Sequence, residues 1–258
     1  MNLMYGPLAV SQEDRMTIAH EIAARLQETY REELLAIGLY GSLSRGTDGP
    51  YSDIEMFCVL RRSEETVEFS HEWSAGPWKA EVNVVSEDVL LEVAGDIEGE
   101  WSLTHGPYHA ARPLYDPEGF FLTLRQAAQS PDYSAFQEAI EGILVGEMME
   151  FAGKLRNIAH HGPRTYLPYL TMQFAQYGAM LIGLHNRKLY STGSLVLPEA
   201  LALPERPEGY DAVAELVLSG SLTDSDQLIM HCENFWQGLH AWAAEHGYAI
   251  HSAERIPF

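Results

Sequence analysis

Leu35-Ala36-Ile37-Gly38-Leu39-Tyr40 is a short apolar run that ends at Gly41-Ser42-Leu43-Ser44-Arg45, and Ser52-Asp53-Ile54-Glu55 follows it. The run predicts a buried strand meeting a turn. A Gly-Ser turn that opens a short helix leaves free backbone N–H groups and a hydroxyl facing outward, a cradle for phosphate. Arg45 sits one turn further in, where its planar guanidinium can take two phosphate oxygens. Asp53 and Glu55 are two apart on the next strand, so their carboxylates leave the same face. Such a pair beside a phosphate site suits Mg2+, which binds one or two carboxylates plus substrate phosphate oxygens. Glu81, in the alternating Lys79-Ala80-Glu81-Val82-Asn83-Val84, is a candidate third carboxylate.

Each feature taken alone has a commoner explanation. Gly-Ser is an ordinary turn, two alternate acidic residues are the polar face of an edge strand, and a single arginine is a solvated side chain. Their order along the chain carries the specificity. The stretch is not a P-loop, because 41–47 lacks the lysine that would reach the β- and γ-phosphates. His71-Glu72-Trp73 has no second histidine at zinc-protease spacing, and His160-His161, His105 and His109 lie near Gly and Pro as loop histidines.

Outward from this stretch, Ser11-Gln12-Glu13-Asp14 resembles a capping box opening a helix that runs to about Tyr30. Residues 54–60 predict a second strand, 69–73 a third, 78–85 a fourth and 112–115 an edge strand, with Ser86 capping a helix to about Glu98. From Pro117 the period is helical throughout, with long helices over 136–158, 166–187 and 225–245 and shorter ones near Glu199 and Asp211. The fold class is therefore α+β, a mixed half followed by an all-helical half, with the boundary in 119–130 and the two domains taken as 1–125 and 126–258.

Composition narrows the function classes. The 258 residues suffice for one large or two modest cores, and 46% hydrophobic with 21% charged residues is a globular composition. No apolar run spans a bilayer, and the first ten residues lack a secretory signal, so a cytoplasmic protein without a membrane partner is expected. Cys58 and Cys232 are expected to be buried free thiols. Sixteen basic against 37 acidic residues leave a net charge of −21. That excludes the basic stripe of a nucleic-acid binder and admits a polycationic ligand, while solubility alone also accounts for it.

In the helical half, Glu147, Glu150 and Lys154 fall at i, i+3 and i+7 and share a face. By itself this is a solvated stripe with an i,i+4 ion pair of about 0.3–0.5 kcal/mol. Beside the first-half constellation, a carboxylate flanked by a lysine is what adenylyl transfer requires: a base for the attacking hydroxyl and a cation on the phosphate.

Gly41-Ser42 followed by Asp53-x-Glu55 resembles the signature of the polymerase-β-like nucleotidyltransferase superfamily. The strings Tyr40-Gly41-Ser42-Leu43, 47–56, 68–73, Leu103-Thr104-His105-Gly106, Ala152-Gly153-Lys154, 178–185 and Arg255-Ile256-Pro257-Phe258 are similar to the kanamycin nucleotidyltransferase-like aminoglycoside 4′-O-nucleotidyltransferases. The likeness spans nearly the whole chain.

The resemblance implies an N-terminal nucleotidyltransferase domain, its mixed sheet flanked by helices, and a helical C-terminal domain with dimer contacts. It implies that Asp53 and Glu55 hold Mg2+ on ATP and that Ser42, Arg45 and Lys154 contact the phosphates. Glu150 matches the general base. Glu72 and Glu81 match acidic positions lining the antibiotic site, so Glu81 serves the metal, the substrate ammoniums or both, and Glu147 belongs to the substrate set. It further implies a homodimer with shared active sites, in which Glu150 and Lys154 act on the partner's ATP. The expected reaction moves AMP from ATP to a hydroxyl of a kanamycin-type antibiotic with release of pyrophosphate, conferring resistance. The alternatives are transfer to a protein or another acceptor, and plain sequestration of a polycation. Gly146, where the resemblance leads one to expect an acidic residue, and the dissimilar 191–207 depart from the pattern.

Overall fold

The computed structural model describes residues 6–251 and 255–256. Arg255 and Ile256 are the described part of the C-terminal string noted above; Pro257 and Phe258 lie outside the described residues. Among the described residues, no helix is long and apolar enough to cross a membrane.

Five strands form one mixed sheet in the order β3-β4-β2-β1-β5: β1 (Leu34–Tyr40), β2 (Ile54–Leu60), β3 (Glu68–Ser74), β4 (Lys79–Ser86) and β5 (Arg112–Tyr115). β2 and β4 run parallel, and the other neighbours are antiparallel. Every residue of β1 is buried, as expected for a central strand covered on both faces. The first helix, α1 (Gln12–Tyr30), starts where the Ser11 hydroxyl accepts the amide of Asp14, and Ser11 in turn donates to the Asp14 carboxylate at 2.7 Å. It packs Ala19 and Ala23 against Ile37, Leu39, Ile54, Met56 and Cys58 on one sheet face. α2 (Gly41–Arg45) follows β1 directly. Helices α3 (Glu87–Gly95) and α6 (Phe120–Ala128) cover the other face, with Leu90, Phe120, Phe121 and Leu124 on Leu35, Phe57 and Val59. Ser86 stands at the N-cap of α3, but its hydroxyl accepts the amide of Val67 instead of a helix N–H. The hydroxyl is spent on the strand connection. The expected end near Glu98 also comes earlier, at Gly95.

The helical remainder comprises α4 (Trp101–Thr104), α7 (Tyr133–Ile143), α8 (Met149–His160), α9 (Leu167–His185), α10 (Val196–Leu201), α11 (Tyr210–Ser219) and α12 (Ser225–His246), while α5 (Gly106–Ala110) stays with the sheet. The single helix expected over 136–158 is α7 and α8 joined through a π-helical turn at Leu144–Met148. Its core gathers Phe151, Phe174, Tyr210, Phe235 and Trp242. The chain divides into two compact units. One holds the chain up to Asp96 together with His105–Pro131, and the other holds Ile97–Thr104 with Asp132 onward. A cut at 125/126 falls inside α6, whose Leu124 and Ala128 both pack on the sheet side. Trp101 belongs to the helical unit because its ring meets Phe136 edge-on at 4.9 Å. Both cysteines are free and buried. Of the histidines expected in loops, His105 does sit in the bend after α4, buried with its Nε2 3.1 Å from the Val93 carbonyl, whereas His109 lies in α5 and His160 ends α8.

Candidate active site

Strand register builds a row of polar groups across the sheet. Glu72 of β3 stands opposite Glu81 of β4, Glu81 opposite Glu55 of β2, and Glu55 opposite Tyr40 of β1. Directly opposed residues project to the same face, so three carboxylates and a phenol share one side of the sheet. Asn83, two residues along β4, donates its Nδ2 to the Tyr40 hydroxyl at 2.6 Å and to Glu81 Oε1 at 3.1 Å. Ser70 donates to the same Glu81 oxygen at 3.2 Å.

Asp53 lies just ahead of β2, and Lys79 bridges two acidic positions: its Nζ is 2.7 Å from Glu72 and 3.9 Å from Asp53. Two carboxylates thus already flank one ammonium group.

Glu55 reaches back to the turn after β1. Gly41 adopts φ +68°, and a Cβ there would lie 1.7 Å from Glu55 Oε2. Only glycine permits both the left-handed backbone and this approach. Burial, then the charges of Asp53 and Glu81, push the Glu55 carboxyl up to about 7, although Arg45 and Lys79 pull it down. Burial, with Glu81 and Glu55 adding to it, likewise raises the Tyr40 hydroxyl far above its ordinary value. Negative charge is concentrated here beyond what the two cations balance. The donor set of Asp53, Glu55 and Glu81, all hard oxygens, therefore fits Mg2+. Ser42 is half-buried in α2 and Arg45 is exposed at its end.

Ser42, Arg45, Asp53, Glu55, Glu72 and Glu81 thus all belong to the sheet unit. Glu147, Glu150 and Lys154 belong to the helical unit. There Lys154 donates to Glu150 at 2.5 Å, raising the lysine's pKa through that hydrogen bond. Glu147 sits in the π turn and Glu150 in the first turn of α8. The charge of Lys154 reaches Tyr166 and Tyr169, and that of Glu147 reaches Tyr177.

Tyr40, Asn83, Lys79 and the special role of Gly41 had no place in the sequence-based site. Lys79, Glu81 and Asn83 alternate, so their shared face was visible in the sequence. That Tyr40 joins the row required the β1–β2 register.

The KNTase C-terminal domain family matches residues 118–249. Two relatives, from Staphylococcus aureus and a Bacillus species, are each an aminoglycoside nucleotidyltransferase (4′). Both are 49% identical over 255 residues, 99% of this chain and 100% of theirs. Among solved structures, a nucleotidyltransferase-like protein from Exiguobacterium sibiricum superposes with TM-score 0.49 at 12% identity, covering 96% of this chain and 81% of that one.

Proposed function

The chain belongs to the aminoglycoside 4′-nucleotidyltransferase family, and from that membership we propose that it moves AMP from ATP to the 4′ hydroxyl of kanamycin-type antibiotics. The row of Glu72, Glu81 and Glu55 with Asp53 beside it is the observation that carries the chemistry, because it pairs a metal-type donor set with two carboxylates already flanking an ammonium.

Asp53 and Glu55 would hold Mg2+, with Glu81 serving the ion, the drug or both, and the charge such an ion supplies would offset negative charge on the leaving pyrophosphate. Ser42 and Arg45 bind phosphate oxygens, Arg45 through two parallel N–H groups. Glu72 and Glu147 hold substrate ammoniums in the way Glu72 holds Lys79. Glu150 accepts the proton of the attacking hydroxyl. The hydroxyl oxygen bonds to the α-phosphorus in line with the leaving group, the bond to the β-phosphate oxygen breaks, and pyrophosphate departs. Lys154 offsets charge on the phosphate. Most of the acceleration comes from positioning and charge compensation, with no covalent enzyme intermediate.

Mass spectrometry of an aminoglycoside panel incubated with the enzyme, ATP and Mg2+ tests this. A gain of one AMP, located on the 4′ oxygen by fragmentation, is the expected result. Pyrophosphate release without drug modification, or binding without turnover, overturns it.

A further inference from the structure

Away from the carboxylate row, three residues from separate parts of the helical unit converge. His185 ends α9, His246 ends α12, and Glu205 lies in the segment between α10 and α11. One ligand atom from each lies within 4.8 Å of the other two, and the His185 and His246 rings stand 4.4 Å apart. We propose that His185, Glu205 and His246 form a binding site for a Zn2+-class divalent cation that ties together the ends of α9 and α12 and the 203–207 segment.

The ligand chemistry supports this. Two imidazole nitrogens and one carboxylate oxygen, with a water in the fourth position, are a donor set for four-coordinate zinc, and imidazole discriminates against Mg2+. Both histidines close their helices, where the carbonyl ends favour positive charge.

The surroundings are built as a metal ligand's are. His185 is 11% exposed, and its Nδ1 lies 2.8 Å from the Tyr248 hydroxyl, which fixes the ring while Nε2 faces Glu205 Oε2 at 2.7 Å. A ligating histidine commonly has its second nitrogen engaged in this way. On metal binding the ring proton moves to Nδ1, and Nδ1–H donates to the Tyr248 oxygen. Gly247, at φ +75°, turns the chain so that Tyr248 returns to His185. Asn186 Nδ2 donates to the Glu205 carbonyl at 2.8 Å, which holds the backbone of the third ligand in place. Glu205 and His246 are exposed, so their side chains can close the remaining gap.

The test uses the full chain, free of any affinity tag and stripped by chelator. Titration with Co2+ is expected to give one equivalent with the visible spectrum of a four-coordinate nitrogen and oxygen site, displaced by Zn2+. At about a hundredfold excess over Kd, Zn2+ should raise Tm by several degrees. His246→Ala and Glu205→Gln, both at exposed positions, should each weaken binding by more than about 100-fold, and Tyr248→Phe by about 10- to 100-fold. The absence of stoichiometric binding, or unchanged affinity in Glu205→Gln and His246→Ala, overturns the proposal and leaves a hydrogen-bonded cluster.

Discussion

At the scale of single residues, Gly41 and Glu55 depend on each other. The glycine accepts φ +68° and leaves the space that the Glu55 carboxylate fills. Gly41→Ala should therefore separate stability from activity. The left-handed backbone costs an alanine about 1–2 kcal/mol, and the displaced Glu55 tip can swing aside without unfolding the sheet. Moving that carboxylate by an ångström should lower kcat by about 100-fold. Steady-state kinetics at saturating ATP and Mg2+, beside a thermal melt, checks this, and an unchanged kcat would remove Glu55 from the reacting centre. The sequence exposed the pair's residue types and order. It did not expose their contact, which depends on the path of two backbones.

Elements bring in a second buried device. The Arg15 side chain in α1 is 2% exposed and the Asp48 side chain 0%. They form an ion pair, and Arg15 also donates to the carbonyls of Val10 at 2.6 Å and Pro50 at 3.1 Å, while Gln12 donates to Asp48 at 2.6 Å. The first helix is thereby fastened to the loop that leads into Asp53. Burial pushes the Asp48 carboxyl up, but the hydrogen bonds from Arg15 and Gln12 outweigh it and hold it below its ordinary value. A depressed carboxylate contributes stability that is complete above its unfolded pKa and is lost as pH falls through the folded one. Asp48→Asn should cost about 3–5 kcal/mol at neutral pH because it strands a buried guanidinium. The gap between wild-type and variant denaturant midpoints should begin to narrow as pH falls below the ordinary aspartate value of about 4, and a gap that stays constant down to about pH 2 would refute the assignment. Asp48 stood in a turn-forming Gly/Asp/Pro stretch, and nothing in its local pattern pointed to a buried arginine 33 residues earlier.

For the whole molecule, the proposed shared sites of a homodimer make a sharp demand. Asp53→Ala should abolish Mg2+-dependent turnover, and Glu150→Gln should bind both substrates yet turn over slower by orders of magnitude. If Asp53 of one subunit works with Glu150 of its partner, mixing and reassociating the two inactive variants restores about a quarter of the wild-type sites by random pairing. If each chain completes its own site, the mixture stays inactive.

The sequence by itself determined the order of elements, the five strands, the shift to helical period after the sheet unit and the acidic and basic residue types of the proposed site. These follow from side-chain periodicity and turn chemistry, which act over a few residues. The tertiary structure alone decided that Ile97–Thr104 packs with the helices, that Tyr40 and Asn83 join the carboxylate row, that Asp48 lies buried on Arg15, and that His185 and His246 meet Glu205. Each of those depends on strand register or on packing between distant segments, and a sheet shifted by one residue would turn every carboxylate to the opposite face.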